Sequence, residues 1–230
     1  MRTAARSLGE LLITAGLVLL LFVAYQLWWT NLEAHRAADH VADSIREQWA
    51  HPHGSTATKG GPTVKGPRAV DFGQGFAFLH IPRLGRDWSV PVVQGVDLPD
   101  LARGVGHYPN TARPGDVGNF AVAGHRATSG EPFAYLDRVR VGDRVVAETR
   151  KRWYTYVVDK TSIVAPTATW VLDPVPGKPD AKPTQRLLTL TTCNPRWASY
   201  QRLIVFGHLV ESRPKSDGPP SVLVHRVGQA

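Results

Sequence analysis

The chain has 230 residues, of which 43% are hydrophobic and 20% charged, so it can bury a sizeable core and lacks the composition of a disordered chain or a disulfide scaffold. Its single cysteine can form no disulfide within the chain. The net charge of +8 comes from scattered Lys and Arg rather than a basic block, which argues against a nucleic-acid partner and favours diffuse attraction to anionic lipid or wall polymer.

The first predicted element is a membrane-spanning helix. Residues 11–29 form a stretch of nineteen residues without a charge, about the length that a bilayer core requires. Arg2 and Arg6 precede it against one acid, Glu10, so the positive-inside rule predicts a cytoplasmic segment over residues 1–10 and an extracellular remainder. A cleaved signal peptide is the alternative, but the length of the segment and the lack of an Ala-x-Ala site favour an uncleaved, single-pass anchor in the cell membrane.

Residues 30–75 are predicted to connect this anchor to a folded domain. Apolar residues at loosely helical spacing over 31–50 predict a short helix that continues from the membrane. Residues 51–75 are crowded with Gly, Pro, Thr and Lys and have no sustained period, which is typical of a flexible linker.

The pattern changes at Phe76, and alternating apolar residues predict one β-rich domain over 76–211. Seven short strands indicate a sandwich or a closed barrel. Short helices are predicted over 97–104 and 131–139, and the remaining residues, 212–230, are predicted to form a loose tail rich in Pro, Ser and Gly. The strand candidates are FAFLHIP, WSVPVVQGV, NFAVAGHR, DRVVAETR, RWYTYVVDKTSIV, RLLTLTTC and YQRLIVFGHLV.

The only cysteine, Cys193, ends one of these strands. The sequence NPRWAS breaks the strand after it, so the thiol is predicted to lie beside a loop, where a reacting group is both held and reachable. Arg202 lies near the start of the next strand, and a hairpin would bring its guanidinium back toward the thiol. The alternative is structural, with Cys193 as a small buried hydrophobe and Arg202 as a surface charge.

A third polar side chain, His125, ends the apolar strand NFAVAGHR. An imidazole beside a thiol can generate the thiolate and later protonate a departing amine. The fixed fork of donors on an arginine can hold a carbonyl or stabilise an oxyanion. Cys193, His125 and Arg202 therefore form a complete set for acyl transfer, although a separation of 68 residues between His and Cys does not by itself place them in contact.

Other residues compete for these roles. Asp116 and Asp137 are candidate partners of the histidine, but each lies in a pattern typical of a turn or cap. Arg196 is the rival of the strand arginine, although it follows Asn-Pro in the turn. Tyr108 and Trp197 are candidates for lining a peptide groove, with core packing as the default.

These motifs resemble the active-site signature of sortases, the membrane-anchored cysteine transpeptidases of Gram-positive bacteria. The similarity rests on AGHR, TLTTC and YQRLIVFG and extends over residues 76–210, where IPRLGRDWSVPVVQGV, LARGVGHYPNTARPGDVGNFAVAGHR and PFAYLDRVRVGDRVVAET follow in order, most like the class E branch. It implies an all-β, sortase-type closed barrel of about eight strands with short helices.

Carried over residue by residue, the resemblance implies that His125 is the catalytic histidine, Cys193 the nucleophile and Arg202 the catalytic arginine. Thr192 matches the family threonine that helps to line the substrate and oxyanion site. Ala127 and Ser129 stand where class E relatives tend to have Thr and Tyr, which leaves the subclass and the signal preference open.

The reaction that the resemblance implies is ping-pong transpeptidation. A C-terminal sorting signal of the LAxTG or LPxTG type on a secreted protein is cleaved between Thr and Gly, and the thioacyl-enzyme is resolved by an amine, usually from a peptidoglycan precursor. No cofactor is implied, and the absence of HExxH, paired CxxC and carboxylate-rich patterns argues against a metal. A thiol peptidase of related mechanism and an extracytoplasmic β-barrel binding module with an inert cysteine remain as alternatives.

Overall fold

The computed structural model describes residues 2–51 and 73–224, so most of the predicted linker and the last six residues lie outside the described residues. Two α-helices and eight strands form in these ranges. They are α1 (Arg2–Ala50), β1 (Gly75–His80), β2 (Ser89–Gln94), α2 (Leu98–Leu101), β3 (Val105–His107), β4 (Gly118–Ala123), β5 (Arg144–Thr149), β6 (Arg152–Val164), β7 (Arg186–Asn194) and β8 (Gln201–Pro214).

The N-terminal element is one continuous helix of 49 residues, α1, because the predicted membrane segment and the helix that follows it join without a break. Its apolar part has a mean hydropathy of 2.2 over an 18-residue window, and none of that window is buried by the rest of the protein. By length and composition this helix can cross a membrane. The far end of α1 instead packs on the barrel, where Ala42 and Ile45 are buried against Phe78.

The eight strands close into a barrel in the order β1-β2-β3-β4-β7-β8-β6-β5. The β2/β3 and β4/β7 pairs are parallel, and the other neighbours are antiparallel. The prediction of an all-β closed barrel is confirmed, and all seven strand candidates form strands. The eighth, β3, has only three residues, Val-Gly-His, which is too short for an alternating pattern to be recognised.

Apolar side chains from every part of the barrel meet in its interior. Phe120, Tyr156, Leu188 and Leu190 are all almost completely buried there. Burial of a large apolar side chain stabilises a fold by roughly 1.5–3 kcal/mol, so this core supplies the rigidity that the strand ends need in order to hold reacting groups.

The two predicted short helices are smaller than expected. The segment 97–104 forms only the single turn α2, and 131–139 forms turns that end in a 3-10 helical turn, Leu136–Arg138. The second helix is shorter than predicted for a tertiary reason: the Phe133 N–H donates to the His125 carbonyl oxygen, at 3.0 Å, and the chain becomes helical only from Leu136. Burial of the Phe133 ring fixes this arrangement.

The chain beyond the predicted domain end at residue 211 is also ordered. Strand β8 pairs with β6 as far as Pro214, and the next residue, Lys215, forms an ion pair with Glu148. Burial favours the neutral form of Glu148, but hydrogen bonds from His80 and Lys215 outweigh it and lower the pKa of that carboxyl. The Lys215 ammonium also lies 3.8 Å from the centre of the Trp153 ring. The start of the predicted tail is therefore attached to the barrel.

A buried asparagine near the start of β4 attaches the long β6–β7 loop to the barrel. The Asn119 amide donates to the carbonyl oxygens of Val171 and Asp173, at 3.0 and 3.1 Å, and its own oxygen accepts a 2.8 Å hydrogen bond from the Thr189 hydroxyl. Asn119 is 1% exposed, so these groups have no access to water as a replacement partner.

We expect Asn119→Ala to lower the free energy of unfolding by about 2–4 kcal/mol, because two carbonyls and a hydroxyl lose their partners. Urea denaturation of the detergent-solubilised protein measures this change. Thr161→Ala, at an exposed position on β6, is the control and should change stability by no more than about 0.5 kcal/mol. Equal effects of the two substitutions would contradict the role of Asn119.

Candidate active site

Three strand ends meet at one edge of the barrel, because β7 lies between β4 and β8. Strand β4 pairs with β7 in parallel, with Ala123 opposite Thr191. Strand β8 pairs with β7 antiparallel, with Arg202 opposite Cys193. The C-terminal ends of β4 and β7 and the start of β8 therefore lie side by side, and these are the places where His125, Cys193 and Arg202 occur.

The β7–β8 hairpin brings the thiol and the predicted arginine together. Directly opposite residues in an antiparallel pair project from the same face, with Cβ atoms about 4.5–5.5 Å apart. Cys193 is partly buried and is a free thiol. The Arg202 guanidinium donates through Nη1 to the carbonyl oxygens of Ser199 and Gln201, at 2.6 and 2.9 Å, so it is bound to the end of the loop that joins the two strands.

The predicted histidine is positioned through the glycine before it. The Gly124 N–H donates to the Thr191 carbonyl at 3.1 Å, and the Thr192 hydroxyl donates to the Gly124 carbonyl at 2.7 Å. His125 and Cys193 are the next residues of these two segments, so the backbone places them next to each other. A Cβ atom on Gly124 would lie 2.6 Å from a Phe133 ring carbon, and glycine is therefore required at this position.

The environment of His125 favours its neutral form. The side chain is partly buried, and this burial lowers the pKa of the imidazole below its ordinary value. Among the described residues no hydrogen-bond partner of the ring is found. Asp137, a candidate partner in the sequence, instead lies 3.2 Å from Arg126. Burial therefore favours the neutral imidazole, and no carboxylate of the described residues is hydrogen-bonded to it.

Arg126 is a residue of this site that sequence reasoning missed. Its side chain is 6% exposed, and Nη1 donates to the Asn194 side-chain oxygen at 2.6 Å and to the Cys193 carbonyl at 3.2 Å. A buried guanidinium requires such partners, because burial of an unpaired charge is costly. The only signal in the sequence was its position directly after His125, which does not reveal burial. Arg126 therefore adds a second link, after the bonds of Gly124, between the segment that carries His125 and the end of β7.

Arg196 belongs to a different cluster. It forms an ion pair with Glu131, and its guanidinium lies over the rings of Tyr135 and Trp197, at 4.9 and 5.1 Å from their centres. Arg202, in contrast, is in register with the cysteine. Of the two predicted groove residues, Trp197 is 71% exposed. The other, Tyr108, forms a 3.1 Å hydrogen bond between its hydroxyl and that of Thr191.

Two cavities of the described residues lie apart from these strand ends. Each has a volume of about 420 Å³ and is lined partly by α1, and neither is lined by the predicted catalytic residues. Within residues 2–51 and 73–224, no group of three or more His, Cys, Asp or Glu side chains is arranged to hold a metal ion.

Comparison with known proteins identifies the family. The sortase domain matches residues 79–210, which is more than half of the chain. The chain belongs to the sortase family. Members of this family are cysteine transpeptidases, and the sequence resemblance is thereby confirmed.

Two curated relatives are class E sortases from Streptomyces coelicolor. Sortase SrtE1 is 43% identical over 229 residues, which cover 96% of this chain and 61% of the relative. Sortase SrtE2 is 39% identical over 233 residues, which cover 96% of this chain and 88% of the relative. The chain thus spans about three fifths of the length of SrtE1.

Solved structures agree with this assignment. Sortase E from Streptomyces avermitilis superimposes with a TM-score of 0.62 at 46% identity, covering 67% of this chain and all of that one. Sortase E1 from Streptomyces coelicolor, solved with a tripeptide in the active site, gives a TM-score of 0.61 at 43% identity and covers 66% of this chain and 98% of that one. The resemblance to class E is thereby confirmed as well.

We expect His125 in a Cys193→Ala variant to titrate below the ordinary histidine pKa of about 6.5, because burial disfavours the imidazolium. Removing the thiol separates this titration from that of a coupled neighbour. NMR of labelled imidazole across the pH range measures the midpoint, and an additional His125→Gln substitution identifies the resonance. A midpoint at or above 6.5 would show that the site stabilises the cation instead.

Proposed function

We propose that this protein is a membrane-anchored cysteine transpeptidase that cleaves a C-terminal LAxTG- or LPxTG-type sorting signal between Thr and Gly. It would transfer the secreted protein that carries the signal to a cell-wall amine. The observation that carries this proposal is the meeting of three strand ends, with Cys193 directly opposite Arg202 and the segment bearing His125 hydrogen-bonded alongside. Membership of the sortase family supports the same reaction class.

In the first half-reaction Cys193 is the nucleophile. Its sulfur attacks the Thr carbonyl carbon of the signal, and the thiol proton passes to the neutral imidazole of His125. Collapse of the tetrahedral intermediate breaks the Thr–Gly C–N bond, and His125 returns the proton to the departing glycine amine. The products are a thioester on Cys193 and the released C-terminal fragment.

In the second half-reaction an amine replaces the thiol. The acceptor nitrogen attacks the thioester carbonyl, its proton moves to His125, and the C–S bond breaks as the new amide bond forms. The proton then returns to the sulfur of Cys193. A peptidoglycan precursor is the acceptor that the family resemblance implies.

Arg202 is the proposed oxyanion-stabilising group, and Thr192 lines the same site. Arg202 donates to the Ser199 and Gln201 carbonyl oxygens through Nη1. Within the described part of the chain, Nε and Nη2 have no acceptor, so these two donors can be directed at a developing oxyanion. A planar guanidinium suits this role because its donors are fixed in a fork.

The proposed location follows from α1. Residues 11–29 would cross the cell membrane with residues 1–10 in the cytoplasm, because the basic residues precede the apolar segment. The catalytic domain, predicted over 76–211, would then lie outside, where secreted substrates and a cell-wall amine are found.

The test uses the full chain in detergent with LAxTG and LPxTG peptides and a glycine-based amine, followed by mass spectrometry. We expect cleavage between Thr and Gly, transfer to the amine and an acyl-enzyme, all lost in Cys193→Ala. His125→Ala and Arg202→Ala should each lower the rate by at least about 100-fold, the usual contribution of a general acid–base or an oxyanion donor. His208→Ala is the control and should retain activity, because His208 forms a surface ion pair with Asp159 on the paired strands β6 and β8.

Other outcomes favour the alternatives. Release of the peptide without transfer to any amine would favour a thiol peptidase. A folded protein that forms no acyl-enzyme with either peptide would favour the β-barrel binding module with an inert cysteine.

We expect Thr192→Val to lower kcat by roughly 10- to 100-fold, because the lost hydrogen bond to the Gly124 carbonyl loosens His125 against Cys193. Thr192 is buried, so the orphaned carbonyl should also cost about 1–3 kcal/mol of stability. Thr192→Ser keeps the hydroxyl and is the matched control. Peptide-cleavage kinetics separate kcat from KM, and an equal fall in kcat for both variants would contradict this positioning role.

A further inference from the structure

Helix α1 is attached to the loops beside the candidate active site at the point where its apolar segment ends. The Asn31 amide donates to the Glu131 carboxylate at 3.0 Å, and its oxygen accepts from the Gly130 N–H at 3.1 Å. Asn31 lies two residues beyond Trp29, the last residue of the apolar stretch. At a rise of about 1.5 Å per residue, this contact is only about 3 Å farther along the helix.

Glu131 links this contact to a cluster of aromatic and basic side chains. Its carboxylate also pairs with Arg196, which lies over the Tyr135 and Trp197 rings. Arg138 covers the Tyr135 ring at 4.1 Å. We call Tyr135, Arg138, Arg196 and Trp197 the aromatic-basic face.

The backbone at Glu131 is held in an uncommon conformation. Its φ is +47°, in the left-handed region that non-glycine residues seldom adopt. Such a conformation persists only where surrounding contacts determine it. Here the contacts come from Asn31 on one side and Arg196 on the other, so α1 and the aromatic-basic face fix this loop between them.

The face is open to its surroundings. Trp197 and Tyr135 are 71% and 45% exposed, and Tyr200 on the same β7–β8 loop is 67% exposed. Trp and Tyr side chains are enriched where a bilayer meets water, and Arg attracts anionic headgroups. Glu131 balances the charge of Arg196, whereas Arg138 forms no ion pair within the described residues, so the face retains positive charge.

The orientation of the barrel on α1 is fixed at a second point. Ile45 is completely buried in the contact with Phe78, fourteen residues, or about 21 Å, beyond Asn31. Two contacts along one rigid helix leave the barrel little freedom to turn. The aromatic-basic face therefore stays at the membrane end of the domain.

We propose that the aromatic-basic face lies in the headgroup layer of a bilayer that contains anionic lipid. This inference rests on the proposed membrane anchor, residues 11–29, and goes beyond it by assigning a second, peripheral contact. The consequence is that the ends of β4 and β7 are held against the membrane surface, where a substrate that is still attached to the bilayer can reach Cys193.

The experiment measures depth with single labels on the full chain. In a Cys193→Ala background, cysteine is introduced by Trp197→Cys, Glu33→Cys or Ser216→Cys, and each protein is labelled with an environment-sensitive fluorophore. Glu33 is exposed just beyond Asn31. Ser216 adjoins Lys215, whose ammonium lies over the Trp49 ring. Trp49 is eighteen residues, or about 27 Å, farther along α1 than Asn31, so a label at 216 lies far from the membrane end of the domain.

The proteins are reconstituted in phosphatidylglycerol–phosphatidylcholine vesicles that carry a nitroxide on the headgroup. The expected result is strong quenching of the labels at 33 and 197 and weak quenching at 216. A label introduced by Tyr200→Cys, which retains Trp197, should be quenched like that at 197. Arg138→Glu should reduce quenching at 197 most in vesicles rich in phosphatidylglycerol.

Three results would overturn the proposal. Quenching at 33 without quenching at 197 and 200 would show that the anchor crosses the bilayer but that the aromatic-basic face does not contact the headgroups. Absence of quenching at all four positions would show that residues 11–29 do not anchor the protein in the bilayer. The proposed activity is tested separately, by peptide cleavage with the chain that retains Cys193. Shielding of the labels at 197 and 200 by a sorting-signal peptide, and not by the bilayer, would assign the face to the substrate groove.

Discussion

The pairing of β7 with β4 on one side and β8 on the other is the constraint on which the candidate active site depends. The β4/β7 pair is parallel, so both strands end at the same edge, and the β7/β8 pair is antiparallel, so the next strand begins there. Backbone hydrogen bonds thereby bring His125 to the hairpin that carries Cys193 and Arg202, although 68 residues separate the histidine from the cysteine. Side-chain hydrogen bonds from Thr192 and Arg126 then restrict the movement of the segment that carries His125 relative to Cys193.

Much of this arrangement was predictable because its signals are local. Alternating apolar residues identified seven of the eight strands, and the chain breaks after Cys193 and before Arg202 placed these residues at strand ends. The closed barrel, in contrast, came from the family resemblance, since alternation alone indicated a sandwich equally well. His125 was also recognisable at a strand end, but only the resemblance joined it to Cys193, because no local pattern shows that two strands separated by 68 residues become parallel neighbours.

The features that were missed depend on contacts that are distant in sequence. Arg126 has the composition of a surface loop residue, and its burial follows from acceptors on β7. The helix predicted over 131–139 is reduced to a 3-10 turn, because Phe133 is buried in the core and its N–H donates to the His125 carbonyl oxygen. Likewise, the docking of α1 depends on Phe78 and Glu131, which a helical period in residues 31–50 cannot reveal.

The wide sequence separation of the site also has a consequence for folding. Strands β4 and β7 are joined through β5 and β6, so their pairing must close a long loop, and non-local pairings of this kind form late and slowly. Until the barrel closes, Cys193 lacks its neighbours on β4 and β8 and is an ordinary solvent-accessible thiol. A newly synthesised chain therefore brings these three side chains together only on folding, which limits premature chemistry on the unfolded polypeptide.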